Sequence, residues 1–435
     1  MRDLGRRAHS RGTLKSSAHV TASLNPPETP APDALSGYRP FVLFWFARVA
    51  TIIGYQMLTV AVGWQVYALT SSAFDLGLIG LVQFLPAVLL LLLAGHVADR
   101  YDRRRIARIC QAGEAVVALL LAAGSVMGWI TEHAIFALVF AVGAARAFET
   151  PALQAMLPAL IPARILPRAV ASSATAAQTA IVIGPATGGL LYVAGPAWTY
   201  AACAAAFVVA SILTSLIRYE RVLPPRQPAT LKSLLAGLSF LRGRQAMLGA
   251  ITLDMVAVLL GGVTALLPIY AKDILHTGPW GLGILRSAPA IGALAVALYL
   301  ARRPLQRHAG RTMFAAVAAF GVITIVFGLS RWLPLTFAAL VLLGASDMVS
   351  VVVRASLIQL GTPDAMRGRV SAVNAMFIGT SNQLGEFESG VTAAWFGAVP
   401  SVVIGGAGTI LAVMLGLRLF PQLAAIDRLE SVRHV

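Results

Sequence analysis

Hydrophobic residues in this chain gather into long runs that are separated by short polar segments. Each run contains roughly 20 apolar positions, the length that an α-helix needs to cross a bilayer. The runs do not alternate between polar and apolar residues, which argues against the strands of a transmembrane barrel. The pattern predicts twelve transmembrane helices, near residues 41–66, 75–98, 106–129, 133–157, 167–194, 197–217, 247–271, 280–301, 311–329, 334–357, 369–396 and 399–420.

The composition strengthens this prediction. Hydrophobic residues make up 58% of the 435 positions and charged residues only 12%, whereas a soluble protein has about 25% charged residues. The mean hydropathy of +0.78 leaves too little polar surface to cover a water-soluble globule. Cys110 and Cys203 both fall inside predicted spans, so we expect small apolar residues rather than a disulfide framework.

Sequence motifs of common enzymes are missing from the chain. No CxxC, HExxH, Walker or GxSxG pattern occurs. We therefore expect no enzyme, no ATP coupling within this chain, and no metal ion or other cofactor.

Basic residues indicate how the chain sits in the membrane, because Lys and Arg are retained in cytoplasmic loops. In the twelve-span arrangement, 28 of the 34 Lys and Arg residues fall on one side, two fall on the other, and four lie within spans. This distribution predicts that both termini are cytoplasmic in a bacterial inner membrane. The net charge of +16 is then explained by topology, and no nucleic-acid partner is expected.

A polar, proline-containing segment divides the predicted spans six and six. The sequence thus predicts a disordered basic tail over 1–37, a six-helix bundle over 38–217, a cytoplasmic linker over 218–245, a second bundle over 246–420, and a tail over 421–435.

The two halves also align with each other. A shift of 206 positions carries Ser72–Gly80 onto Gly278–Arg286, and a shift of 201 carries Val142–Thr150 onto Leu343–Val351. Two six-helix halves in parallel repeat are typical of a transporter whose substrate site lies between them.

Three sets of residues resemble the major facilitator superfamily, and the resemblance extends over nearly the whole chain. Gly95–Arg105 resembles the family's motif between helices 2 and 3, Arg146 resembles its buried helix-4 arginine, and Ala180–Gly189 is similar to the helix-5 antiporter motif of drug exporters. The run Arg146–Pro162 further resembles the enterobactin-exporter and macrolide-efflux branch. The resemblance implies an all-α fold of two pseudo-symmetric bundles and transport by alternating access.

The motif after span 2 packs charge directly against an apolar run. Gly95 lets two helices approach, and the acid of Asp99 can meet a helix N-terminus or nearby arginines. The resemblance implies that this contact latches the cytoplasmic side and breaks during the cycle, although Asp102 stands where the family commonly has glycine. The alternative is that the arginines only enforce topology. The predicted gate consists of Gly95, Asp99, Arg100, Arg103 and Arg104.

The fifth span carries a ridge of small residues. Ala180, Gly184 and Gly188 are four residues apart and favour close helix packing, Pro185 favours a bend, and Gly189 widens the ridge. The pattern resembles the motif of proton-coupled exporters, so it favours export over uptake. We expect these residues to shape the interface between halves.

Charged residues within spans are costly, by about 2.5–3.5 kcal/mol each. The repeat matches Arg48 with Asp254 and Arg146 with Asp347, which puts opposite charges at equivalent positions. We hypothesise that these four line the cavity and form pairs that rearrange, with Asp254 or Asp347 accepting the proton. The alternative is a static ion pair.

The remaining intramembrane charges have several interpretations. Glu149 lies one turn after Arg146 and simply neutralises it or joins the cavity. Glu386 and Glu388 are two residues apart, so only one easily faces the cavity as a substrate or proton site. Snorkelling is the expectation for Glu114, Arg286 and Arg354.

These observations together predict a monomeric, proton-driven antiporter that exports a siderophore or an amphipathic drug. Its partners would be the lipid bilayer and a small-molecule substrate, and the proton gradient would supply its energy. A proton symporter that imports a metabolite remains the main alternative, and a non-transporting membrane sensor or scaffold is another.

Overall fold

A computed structural model describes residues 34–218, 231–305 and 307–427. Within these ranges the chain is helical between short turns and contains no strand. The all-α fold predicted from the sequence is therefore confirmed.

The N-terminal half consists of seven helices that account for the first six predicted spans. Leu90 divides the second span into two helices, and Pro86, one turn earlier, removes a backbone donor and favours the bend. The bounds are α1 Arg39–Thr70, α2 Ala73–Leu89, α3 Leu91–Arg100, α4 Arg103–Met127, α5 Glu132–Met156, α6 Leu166–Tyr192 and α7 Pro196–Leu216.

The C-terminal half follows a short helix in the predicted linker, α8 Leu231–Arg242. The seventh span is broken after Leu260 and continues through a 3₁₀ turn, Val263–Leu266, a short helix and a π-helical turn, Tyr270–Ile274. The helices are α9 Gln245–Leu260, α10 Leu267–Ile269, α11 Gly278–Arg302, α12 Ala309–Leu329, α13 Leu333–Gly361, α14 Asp364–Phe396, α15 Ala398–Leu419 and α16 Pro421–Ala424.

Nine helical segments in the described ranges are long and apolar enough to cross a membrane. Each predicted span coincides with a helix or with consecutive helical pieces. The spans outside the nine are α2 with α3, which is interrupted, and α6 and α14, which carry more polar residues along their 27 and 33 positions.

Apolar cores lie within each half, and one further core is shared between them. In the first half, Leu58, Leu121, Val139 and Phe207 are fully buried where α1, α4, α5 and α7 meet. In the second half, a cluster around Leu357 on α13 is separate, whereas the cluster around Leu340 also takes in Val60, Tyr67 and Leu76 of the first half. Apolar packing therefore continues across the seam between the halves at this cluster.

The seam is formed mainly by two helix pairs, α2 with α14 and α6 with α11. We call the end of the bundle that carries the Arg100–Arg105 and Arg302–Arg311 segments the basic face, and the other end the opposite face. The sequence predicts that the basic face is cytoplasmic.

Candidate functional site

Glycine contacts close the seam toward the opposite face. A Cβ atom built on Gly77 of α2 would lie 2.9 Å from the Cα of Gly390 of α14. A Cβ atom on Gly189 of α6 would lie 2.7 Å from the Cα of Gly283 of α11. Backbones therefore touch across both helix pairs, at a separation that only glycine permits.

Toward the basic face the same helices have separated. A Cβ atom built on Gly95 of α3, or on Gly379 of α14, would meet no atom of the described structure within 4 Å. The seam thus opens toward the basic face, and the close helix approach expected at Gly95 is absent from this conformation.

A polar contact joins the halves at the opposite face. The Tyr67 hydroxyl at the end of α1 donates to the carboxylate of Asp273 in the π-helical turn. The Lys272 ammonium lies 5.0 Å from the centre of the Tyr67 ring. This contact must break if the seam opens on that side.

Below it, both halves line a small polar cavity. Glu386 of α14 accepts a hydrogen bond from Thr264 Oγ1 at 3.2 Å, and its other oxygen would lie 2.7 Å from a Cβ on Gly80. Arg286 and Gln83 line the same cavity. Its volume of about 20 Å³ holds one water molecule, so no substrate fits in this part of the closed seam.

The first half contains a buried charge cluster around Arg146. Its Nη1 lies 3.8 Å from Glu149 Oε2 and 3.9 Å from Glu114 Oε1. Both glutamates are buried, and Gln111 Nε2 donates to Glu149 Oε1 at 3.0 Å. The prediction that Glu149 neutralises Arg146 agrees with this geometry.

Tyr55 connects this cluster to the seam. The Arg146 guanidinium stacks 3.7 Å from the centre of the Tyr55 ring, a cation–π contact. The Tyr55 hydroxyl donates to Gln83 Oε1 at 3.3 Å, and Gln83 lines the seam cavity. A continuous set of polar contacts therefore runs from the seam into the N-terminal half.

The second half contains a corresponding cluster around Arg354. Arg354 forms a buried ion pair with Asp254, and Ser350 Oγ donates to Asp254 Oδ1 at 2.6 Å. Asp347, one turn before Ser350 on α13, is half-buried and interacts electrostatically with both members of the pair. Each of the two clusters therefore contains one arginine and two carboxylates.

The hypothesised pairs among Arg48, Arg146, Asp254 and Asp347 are not present in this conformation of the described residues. Arg48 Nη1 instead donates to Ser173 Oγ of α6 at 3.0 Å. Asp254 is paired with Arg354, and Arg146 with Glu114 and Glu149. Two positions that the repeat makes equivalent lie on opposite sides of the pseudo-twofold axis between the halves. A match by the repeat therefore does not bring the two side chains into contact.

The predicted gate residues are bound within the N-terminal half. Arg103 Nη1 donates to the Ala155 carbonyl near the end of α5, and Arg104 Nη1 to the Ile217 carbonyl at the end of α7, at 2.9 and 2.8 Å. Arginines suit helix C-termini, where carbonyl groups lack partners. Arg100 is exposed at the end of α3, and the Asp99 side chain lies outside the described part of the structure.

Asp102, the departure from the family motif, caps α4. Its Oδ1 accepts the backbone N–H of Arg104 at 3.0 Å, and its carboxylate lies 3.8–3.9 Å from Arg104 and Arg105. Asp102 therefore has a local structural role, because it satisfies a backbone donor that the helix leaves free.

The helix-5 motif uses two faces of α6. Gly184 and Gly188 pack on α1, where a Cβ would lie 2.6 Å from Gln56 Cβ and 2.7 Å from Met57 Cα respectively. Gly189 and the Pro185 carbonyl face α11 across the seam. The motif thus joins α1 to the interface between the halves.

Glu388, in contrast, is half-buried and does not line the seam cavity. The two-residue spacing from Glu386 points it elsewhere, so of the two glutamates Glu386 faces the other half.

For three charged residues the prediction from the sequence was wrong, because the structure buries them or places them at the seam. Glu114 is 0% exposed, Arg354 is 3% exposed, and Arg286 lines the seam cavity, whereas all three were expected to snorkel. For Arg354, the sequence did contain an indication of its partners. Arg354 follows Asp347 by seven residues and Ser350 by four, and this spacing puts all three on one helix face.

Comparisons with known proteins agree with this architecture. Residues 35–434 match the family model described as transmembrane secretion effector, so the chain belongs to that family, within the major facilitator superfamily of membrane transporters. The enterobactin exporter EntS of Citrobacter koseri is 27% identical over 392 residues, which cover 89% of this chain and 94% of that protein. EntS of Escherichia coli strain SMS-3-5 is 28% identical over 406 residues, covering 90% and 97%.

Solved structures show the same fold at low sequence identity. A bacterial homologue of the human lysosomal transporter Spinster, inward-facing and unoccupied, aligns with a TM-score of 0.72 and 13% identity over 89% of this chain and 98% of that one. A bacterial homologue of the iron transporter ferroportin, inward-facing, aligns with a TM-score of 0.68 and 14% identity over 90% and 100%. The chain is thus a multi-pass inner-membrane transporter of a small molecule and is not an enzyme.

Proposed function

We propose that this transporter exports a small anionic organic compound of the catecholate siderophore type in exchange for protons. Its relatives are named as enterobactin exporters, and they match this chain over about nine tenths of its length. The basic face would lie in the cytoplasm, so the conformation described here would receive cargo from inside the cell.

The arrangement of Arg146 is the observation that carries this proposal. Arg146 lies on α5, and its side chain is 26% exposed although both carboxylates beside it are buried. Its planar guanidinium can bind a carboxylate or catecholate through paired hydrogen bonds. An anionic cargo would therefore compete with Glu114 and Glu149 for the same arginine.

This competition would couple the binding of the cargo to the charge of the two acids. Exchange requires that binding of the cargo on the cytoplasmic side releases the proton from these acids, and that departure of the cargo on the other side lets them take up a proton again. In the second half, Asp347 is the acid best placed to bind and release a proton, because Asp254 is held by Arg354 and Ser350.

Transport by everted membrane vesicles tests the proposal. Vesicles that contain the protein should accumulate radiolabelled enterobactin when their lumen is acidified, and a protonophore should abolish the accumulation. Arg146→Gln should lose uptake, whereas Arg331→Gln, at the opposite face, should keep it.

Two results would contradict the proposal. Accumulation that requires an alkaline lumen would indicate a symporter that imports its substrate. Accumulation unaffected by the protonophore would exclude proton coupling, while leaving the transporter fold in place.

A further inference from the structure

The contacts of Glu114 on α4 differ from those of the other buried acids. Its side chain is fully buried, yet neither carboxylate oxygen receives a hydrogen bond from a donor in the described structure. Asp254, the comparable acid of the second half, has both an arginine and a serine as partners.

The neighbour of Glu114 is another acid. Glu149 faces it from α5, close enough for the two carboxyl groups to interact. Both share Arg146, which lies 3.9 Å from Glu114 and 3.8 Å from Glu149. Two ionised carboxylates and one guanidinium would leave an excess negative charge in a buried site.

Among the described residues, no cation besides Arg146 interacts with these two acids to balance the charge. Tyr55 from α1 and Cys110 from α4 itself are the other titratable groups that interact with Glu114. The helix α7, which packs against α4, carries no charged residue between Pro196 and Leu216. Buried unpaired charge is costly, so the site requires one more positive charge.

We propose that Glu114 and Glu149 together hold one exchangeable proton in the N-terminal half, a binding site whose ligand is the proton itself. The proton bonds to an oxygen of one carboxyl group, which then donates to the other carboxylate, so one of the two unpartnered oxygens of Glu114 gains a partner. The single remaining negative charge pairs with Arg146.

The site is separated from the seam but remains connected to it. Arg146 contacts both carboxylates and stacks on Tyr55, which bonds to Gln83 beside the seam cavity. Movement of Arg146 toward cargo or toward Tyr55 changes the proton affinity of the acids behind it. This inference rests on the proposed proton-coupled function. It places the proton of the N-terminal half partly on Glu114 of α4, a helix that contributes no residue to the proton site predicted from the sequence.

Infrared spectroscopy of the purified protein tests the site without any cargo. The carbonyl stretching band of protonated carboxyl groups is compared between wild type, Glu114→Gln, Glu149→Gln and the double variant. Because one proton is shared, either single substitution removes the intensity of one carboxyl group, and the double variant removes no more. Glu132→Gln, at a partly exposed acid in the first turn of α5, leaves the band unchanged, and Glu114→Asp, which keeps the acid, retains it.

Additive losses from the two single variants, or no loss from either, would overturn the shared proton. Vesicle transport separates this inference from the proposed function. If wild type shows the shared proton but does not accumulate enterobactin under a pH gradient, the proposed function fails and the proton site stands. If wild type accumulates enterobactin under a pH gradient and Glu114→Gln does so equally well, the site is not part of the coupling and this inference fails.

Discussion

Gly77 of α2 and Gly390 of α14 touch across the seam, so closely that a Cβ on Gly77 would lie 2.9 Å from the Cα of Gly390. The internal repeat carries Gly77 onto Gly283 and Gly189 onto Gly390. The contact between Gly189 and Gly283 is therefore the symmetry mate of the contact between Gly77 and Gly390. The two halves close toward the opposite face on a matched pair of glycine crossings.

The first prediction is that Gly77→Ala opens this side of the seam. The new methyl group meets backbone atoms of Phe387 and Gly390 that cannot rotate away, and overpacking of this kind costs about 1–3 kcal/mol in the closed conformation. Distances between spin labels at Trp129→Cys and Trp332→Cys, in a background without Cys110 and Cys203, should lengthen in a larger share of molecules.

Gly379→Ala provides the control for this prediction. It lies on α14, as Gly390 does, but in open space toward the basic face. An unchanged distance distribution in Gly77→Ala, or an equal change in Gly379→Ala, would show that the glycine crossings do not set the closed state.

The sequence predicted the parts of the fold that depend on one helix at a time. The long apolar runs placed the spans, and the two offsets of the repeat relate the glycine pairs at both crossings. The four-residue spacing of Gly184 and Gly188 predicted a close approach, which the structure shows against α1. These features follow from helical periodicity and need no knowledge of neighbouring helices.

The charge partners could not be predicted in the same way. Periodicity gives the face on which a side chain lies, but not how that face is rotated toward the next helix. The prediction that Arg354 snorkels used only its depth in the membrane. The structure instead pairs it with Asp254 of α9, which lies 100 positions earlier in the chain. Arg48 was matched to Asp254 by symmetry, whereas its neighbour is Ser173 on α6.

The second prediction concerns the contact at the opposite face. Tyr67→Phe removes the hydroxyl that donates to Asp273 but keeps the ring beneath Lys272. The closed state should lose about 1 kcal/mol, a change of roughly fivefold in the population ratio. The spin-label distances described above should detect it.

Asp273→Asn is the matched substitution for this contact, because its amide oxygen still accepts the hydroxyl. It should resemble wild type more than Tyr67→Phe does. If both variants shift the distances equally, the hydrogen bond depends on the charge of Asp273, and a neutral amide oxygen does not replace the carboxylate.

The third prediction separates stability from transport at Asp102. Asp102→Ala removes the side chain that caps α4 and should lower the free energy of unfolding by about 1 kcal/mol. Asp102→Asn keeps a capping oxygen and should recover most of this loss. Thermal unfolding in detergent measures both variants, and proton-driven uptake should remain near wild type in each. Loss of uptake in a stably folded Asp102→Asn protein would instead give the aspartate charge a part in the transport cycle.

The fourth prediction distinguishes a structural from a functional role for the ion pair of the second half. Asp254→Asn leaves the guanidinium of Arg354, only 3% exposed, without its carboxylate, and breaking a buried pair in this way costs about 3–5 kcal/mol. The double variant Asp254→Leu with Arg354→Met replaces both charges by apolar groups and should unfold at a higher temperature than Asp254→Asn. A double variant that is stable and still transports would show that the pair only holds α9 against α13. A double variant that is stable but does not transport would show that the charges themselves serve the cycle, because a purely structural pair can be exchanged for packed side chains without loss of activity.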